Sequence, residues 1–247
     1  MARSAAAPRR RNGLKRGSLT PELIVSESLR LLDTEGVSGF SLPKLGRALG
    51  ADQTAVYRHF ASKDDLMLAI ADRLIEESTA NLTEHDCWVE TLADVARQLR
   101  ATYLAHPAAA SLSACRTTRR PAEMRAIDTI IGAVLGAGFK GAAAARMYRA
   151  FGDFNLAWSG GEATFLSLDP AIQRFDRSAW TQAYLEVGQQ DYPNTWRIRT
   201  ALPDVGDDEI FESILGLVLG GMLAVAPEPC ACKRHSIDAP GRVRASA

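Results

Sequence analysis

Residues 45–60, Leu45-Gly46-Arg47-Ala48-Leu49-Gly50-Ala51-Asp52-Gln53-Thr54-Ala55-Val56-Tyr57-Arg58-His59-Phe60, constrain this chain more than any other stretch. Leu45 and Leu49 sit one helical turn apart, and Gly50 ends that helix and permits a sharp turn. Asp52 then caps a further helix, predicted over 53–59, which commits only Val56, Phe60 and the ring of Tyr57 to a core. Two short helices joined by a Gly-containing turn of about 3–4 residues form a helix-turn-helix. Gln53, Thr54, Tyr57, Arg58 and His59 are left on the outside of the second helix. In a major groove, Gln bonds adenine, Arg bonds guanine and the Thr methyl packs on thymine. The Tyr hydroxyl and His, joined by Lys63, suit phosphate oxygens. Polar residues alone would equally make an ordinary solvated helix face. The Gly turn and the flanking caps are what favour groove reading.

The neighbouring residues supply a frame for this pair. Thr20-Pro21-Glu22 predicts a helix start, with Thr as N-cap, Pro in the first turn and Glu at the positive end of the dipole. Ile24, Ser28, Leu31 and Leu32 share a face, and Gly36 is expected to stop the helix in a left-handed conformation. Ser41 caps the helix over 42–49, with Pro43 in its first turn. Ser62 with Asp65 approximates a capping box that opens a fourth helix with Leu66, Ile70 and Leu74 on its inner stripe. Free amides at these helix starts, with Thr20, Ser41 and Lys63, are candidates for further phosphate contacts.

The rest of the chain reads as all-helical. Helices are expected from Asp86 to the His106-Pro107 break, through Leu112, from Pro121 to the Gly136/Gly138 break, over 141–165, and over 207–226. Residues 167–206 contain Pro170, Pro193 and Pro203, with a candidate helix over 178–187. No period-2 alternation and no internal repeat is visible. The expected organisation is an all-α fold in four parts. These are a disordered basic arm (1–18), a three-helix helix-turn-helix DNA-binding domain (19–80), a helical ligand-binding and dimerisation domain (86–226) and a flexible tail (227–247).

Composition bounds the function classes. The 247 residues carry a formal net charge of zero, so bulk electrostatics points to neither nucleic acid nor membrane. Arg3, Arg9, Arg10, Arg11, Lys15 and Arg16 concentrate at the start with no acid, which fits a phosphate-binding arm or an unfolded soluble terminus equally well. No run of about 18 apolar residues suggests a membrane span, and a cytoplasmic protein is expected. Four cysteines do not make a disulfide framework in a chain of this length. Cys230-Ala231-Cys232 with His235 is half a metal site at most, and a mobile terminus is the expectation, with no metal and no cofactor. The histidines at 59, 85, 106 and 235 are scattered, and no catalytic motif is present, so no enzyme is expected.

Glu35-Gly36, Ser41-Leu42-Pro43-Lys44-Leu45-Gly46-Arg47-Ala48-Leu49-Gly50, Val56-Tyr57-Arg58-His59-Phe60 and Ser62-Lys63-Asp64-Asp65-Leu66 resemble the N-terminal domain of the TetR family of transcriptional regulators. The resemblance implies a homodimeric repressor on a near-palindromic double-stranded DNA operator, released by a small-molecule effector. An effector-independent repressor or activator is the alternative. Carried over residue by residue, Gln53, Thr54, Tyr57, Arg58 and His59 are the recognition-helix contacts and Lys63 a phosphate contact. Pro43 stands where some relatives use an Arg for a base contact, so that contact is not expected. Tyr103-Leu104-Ala105-His106-Pro107, the Gly136–Phe139 break and Tyr192-Pro193 resemble the C-terminal domain of the tetracycline-repressor subgroup. The effector pocket is expected at Tyr103, His106, Phe154 and Trp158. Dimerisation is expected through the helices within 141–166 and 207–226. The last of these is apolar nearly all round, which fits either a subunit interface or an intramolecular core helix.

Overall fold

In the computed structural model, residues 19–228 are described, and among them there are helices and no strand. The expectations for the basic arm and for Cys230, Cys232 and His235 lie outside the described residues.

α1 (Pro21–Gly39) starts where its cap predicts: the Leu23 N–H donates to Thr20 Oγ1 at 3.2 Å. Gly36 leaves helical geometry at φ 68°, ψ −177°, and the chain makes one more turn before α2 (Leu42–Ala48). α3 (Gln53–Val56) is a single turn, shorter than the 53–59 its side chains suggest. The reason is local: the Arg58 and His59 amides donate to carbonyls three residues back, Ala55 and Val56, so the helix tightens and ends. α4 (Lys63–Thr79) opens with a variant of the capping box, in which the Asp65 N–H donates to Ser62 Oγ and the Asp65 carboxylate accepts from the N–H of Ala61, one residue before the cap, both at 3.0 Å.

α5 (Trp88–Ala105) begins two residues later than expected. Cys87 precedes it and is disulfide-bonded, while Cys115 is a free, exposed thiol. α6 (Pro107–Ser113), α7 (Pro121–Gly136) and α8 (Gly141–Leu166) follow the predicted breaks. The stretch after α8 is helical earlier than expected. α9 (Pro170–Ser178), capped by Asp169, runs into one wide turn over Ala179–Ala183, and α10 (Pro193–Ile198) follows. Ile172, Phe175 and Trp180 there are exposed, so no buried stripe marks the helix in sequence. α11 (Asp207–Val225) closes the described chain.

Two cores result. Leu32, Leu45, Val56, Leu66, Ile70 and Leu74 centre the first; Val89, Leu92, Phe151, Phe211 and Leu215 centre the second. The polar loop at 81–86 is a break in the chain but not in the packing. Leu99, Tyr103 and the three buried alanines Ala108, Ala109 and Ala110 belong to the first core. α6 therefore lies between α1 and α4 on one side and α8 on the other. Its contact with α8 is backbone-close, since a Cβ on Gly160 would stand 2.5 Å from the Ala114 Cβ. A shift in the C-terminal helices thus reaches α1 and α4 through packed side chains rather than through the loop.

Candidate nucleic-acid interface and effector core

Val56 and Phe60 are 1% and 3% exposed and anchor α3 from below. Gln53, Thr54, Tyr57, Arg58 and His59 are all exposed, as the anchoring requires. α3 approaches α2 so closely that a Cβ on Gly46 would lie 2.9 Å from the Gln53 amide nitrogen. Gly50 takes φ 63° in the turn between them. Asp52 accepts from the Thr54 N–H at 2.8 Å, and that hydrogen bond holds its carboxyl below the usual carboxylate range. Ser41 accepts from the Lys44 N–H at 3.4 Å, and Lys44 pairs with Glu35. Lys63 is exposed at the first position of α4, its ammonium 6.0 Å from the centre of the Phe40 ring. Thr20, Ser41 and Ser62 cap three helix N-termini that belong to the same small domain as the exposed α3 residues.

The four residues expected at an effector pocket do not come together. Tyr103 is 2% exposed and belongs to the first core, where burial pushes its phenol pKa up. His106 spends both ring nitrogens on carboxylates of helices that build the first core. Its Nδ1 lies 2.9 Å from Asp33 Oδ2 and its Nε2 3.3 Å from Glu77 Oε2, which makes it a tie between α1, α4 and the start of α6. Phe154 and Trp158, one turn apart on α8, both pack against the second core.

The same turn of α8 carries three buried polar atoms with no partner among the described residues: Asn155 Oδ1, Trp158 Nε1 and Ser159 Oγ. Trp88 Nε1 on α5 is a fourth. Buried hydroxyls elsewhere are satisfied, Ser28 by the Ile24 carbonyl and Ser113 by the Ala109 carbonyl, each at 2.7 Å. An unpartnered buried polar atom costs about 1–3 kcal/mol, so three on one turn is an uneven expense. Asn155 is visible in the sequence as a polar group on an otherwise apolar helix, whereas Ser159 carries no such signal. Asn155 and Asp153 lie about 200° apart on a helix, so both cannot line one pocket wall, and spacing alone does not choose between them.

α8 and α11 also carry outward stripes. Leu217 and Val225 are 64% and 61% exposed, and at Gly220 and Gly221 between them a Cβ would meet nothing within 4 Å. Ala150, Ala157 and Gly161 are exposed on α8. No helix among the described residues is long and apolar enough to cross a membrane.

Two family models match the chain. Residues 24–70 match "Bacterial regulatory proteins, tetR family", and residues 81–226 match "Tetracyclin repressor-like, C-terminal domain". An HTH-type transcriptional repressor of Mycobacterium tuberculosis is 34% identical over 121 residues, which is 48% of this chain and 46% of that protein. The chain thus spans about half the length of that relative. The crystal structure of a possible TetR family transcriptional regulator from Streptomyces coelicolor A3(2) is 28% identical, with a TM-score of 0.70 over 83% of this chain and all of that one. ActR of Streptomyces coelicolor, solved in complex with actinorhodin, is 23% identical with a TM-score of 0.73 over 86% of this chain and 99% of that one, a likeness of fold.

Proposed function

This chain belongs to the TetR family of bacterial regulatory proteins, and we propose that it is a cytoplasmic, homodimeric transcriptional repressor, bound to a near-palindromic operator and released by a small-molecule effector. The observation that carries the reading is the exposed set Gln53, Thr54, Tyr57, Arg58 and His59 on α3 and the turn that follows it, a stretch in which the buried residues are the anchors Val56 and Phe60. Gln53, Thr54 and Arg58 read bases; Tyr57, His59, Lys63, Thr20 and Ser41 hold phosphates. The outward stripes of α8 and α11 would meet those of a second copy. That pairing would place two α3 turns about 34–36 Å apart, in successive major grooves.

The test is selection of bound duplexes from a randomised pool, followed by binding measurements on the selected sequence. Gln53→Ala and Arg58→Ala are expected to cost about 1–3 kcal/mol each and to blur one position per half-site. Tyr57→Ala and Lys63→Ala are expected to weaken all sequences alike and to flatten the salt dependence. A uniform loss for Gln53→Ala would remove it from the base readers.

The effector would lie against the α8 turn at Phe154, Asn155, Trp158 and Ser159. Two half-buried aromatic rings beside an acceptor, a donor and a hydroxyl suit a flat aromatic molecule with hydrogen-bonding substituents. The fold shared with ActR is one that accommodates actinorhodin in that protein. If Ser159 Oγ waits for a ligand, Ser159→Ala should stabilise the ligand-free protein, raising its unfolding midpoint by about 2–4 °C. Ser113→Ala is the control, equally buried in a helix but with its hydroxyl bonded. A gain at Ser113 as large as that at Ser159 would leave helix propensity as the whole cause and remove the case for a ligand there.

A further inference from the structure

Asp64 and Asp65 follow Lys63 directly and occupy the first turn of α4, the turn that the proposed function turns toward phosphate. Two carboxylates beside a DNA backbone would repel it. Within about one Debye length, 8–10 Å, that repulsion is only partly screened. Both are neutralised from outside the DNA-binding domain. The Arg116 guanidinium donates to the two Asp64 oxygens at 2.7 and 2.9 Å. Arg120 donates to Asp65 Oδ1 at 2.6 Å and to the Asp65 carbonyl at 3.3 Å. Arg116 also holds the Asp64 carboxyl well below the usual carboxylate range, so the pair stays ionised and matched.

The loop that carries these arginines, between α6 and α7, is held in place by its own backbone. Asp72 of α4 accepts from the Glu123 and Ala122 amides at 2.9 and 3.3 Å and from the Thr118 hydroxyl at 3.2 Å. Glu123 accepts from the Thr118 and Arg119 amides at 3.1 and 2.7 Å. Arg119 adopts φ 58°, a left-handed conformation that a side chain enters at a cost. Four hydrogen-bonded backbone groups and one strained residue fix where Arg116 and Arg120 start from, so their reach to Asp64 and Asp65 is built rather than incidental.

We infer that Arg116 and Arg120 are positioning residues for DNA binding, which act by cancelling the charge of Asp64 and Asp65 beside the phosphate-facing start of α4. The inference rests on the proposed placement of Lys63 at phosphate. An alternative role, a mechanical tether between effector domain and reader, makes an opposite demand on the acid. Under charge cancellation, removing the base weakens DNA binding and removing the acid strengthens it. Under tethering, removing either half of the pair has the same effect.

The measurement is fluorescence anisotropy of the full chain on a labelled duplex of mixed sequence, about 30 base pairs long, at about 50 mM and about 200 mM salt. A mixed sequence suffices because phosphate contacts act on every sequence. Arg116→Ala with Arg120→Ala is expected to lower affinity about 10-fold at the lower salt, with the deficit shrinking to about 2–3-fold at the higher. Asp64→Asn alone is expected to raise affinity about 2–3-fold, and added to Arg116→Ala it should restore wild-type binding. Asp64 is exposed at the side-chain level, Arg116 half-exposed and Arg120 part-buried, so the helical circular dichroism signal is measured for every variant to check that the fold is kept. A loss with Asp64→Asn, or no rescue in Arg116→Ala/Asp64→Asn, would overturn the inference. Lys63→Ala separates the phosphate placement from the charge cancellation that rests on it. If it leaves affinity unchanged, the phosphate placement fails; if it lowers affinity while the arginine variants do not, charge cancellation alone fails.

Discussion

Gly46→Ala is expected to abolish sequence-specific DNA binding while leaving the C-terminal helices folded. The added methyl would stand 2.9 Å from the Gln53 nitrogen, 3.1 Å from the Ala51 carbonyl oxygen and 3.2 Å from the Asp52 carbonyl carbon. All three are backbone atoms of the turn, so no flexible side-chain end can yield. The turn is pinned besides, since the Ala51 N–H donates to the Gly46 carbonyl at 2.9 Å. α3 must therefore move away from α2, and its anchors Val56 and Phe60 move with it. Overpacking of this kind costs about 1–3 kcal/mol, against roughly 1 kcal/mol gained from replacing a helical glycine. The net loss of stability is modest, but the loss of function is not. Base contacts worth about 1–3 kcal/mol each depend on hydrogen-bond geometry, and misplacing two of them lowers affinity at least about 30-fold. Anisotropy on the selected duplex measures this, and circular dichroism checks that the helices survive. Gly50→Ala is the comparison: its cost is the left-handed φ alone, because nothing lies within 4 Å of the Cβ position. An effect of Gly50→Ala as large as that of Gly46→Ala would show that backbone conformation, not the close approach of α3, sets the reader's geometry.

This contrast marks how far the sequence is readable. Gly50, Asp52, Ser41, Thr20 and the pair Ser62/Asp65 act within a few residues of themselves, and each does in the structure what its local chemistry dictates. The burial of Val56 and Phe60 follows from spacing alone. Gly46 reads like any small residue in a helix, because what it makes room for is seven residues away across a turn. His106 misleads for the same reason. A histidine before a proline at a helix end is visible, but Asp33 and Glu77, which occupy its two nitrogens, lie on other helices. Arg116 and Arg120 carry no signal at all, since an ion pair spanning more than 50 residues leaves no periodicity behind. The break at 81–86 is legible as a polar loop, yet the first core runs on through Leu99, Tyr103 and α6. Domain boundaries in sequence follow the chain, whereas cores follow the packing.

Arg100→Met is expected to lower the unfolding midpoint by about 6–12 °C, the equivalent of about 3 kcal/mol in a chain of this size. Arg100 joins three helices. It donates from Nε and Nη2 to both Glu162 oxygens of α8 at 2.7 Å, and from Nη1 to Asp208 of α11 at 2.7 Å. Its guanidinium also sits 4.6 Å from the centre of the Phe211 ring. Its partners differ in what they lose. The Asp208 side chain is 90% exposed and simply returns to water, whereas Glu162 is 16% exposed and would be left charged and largely dry. The cost is therefore mostly that of Glu162, and it sits at the low end of the range for a broken buried pair because some water can still reach it. Arg100→Met/Glu162→Met removes the stranded charge and should recover most of the midpoint, since well-packed apolar pairs replace buried ion pairs at little cost. Recovery of stability need not be recovery of function. α8 and α11 carry the outward stripes proposed to meet a second copy, and Arg100 fixes them both to α5. If the guanidinium fork sets their relative angle, the double variant regains its midpoint but still dimerises and binds the selected duplex more weakly than wild type. Sedimentation and anisotropy at matched protein concentration decide it: full recovery of dimerisation and DNA affinity along with the midpoint would mean that Arg100 serves stability alone.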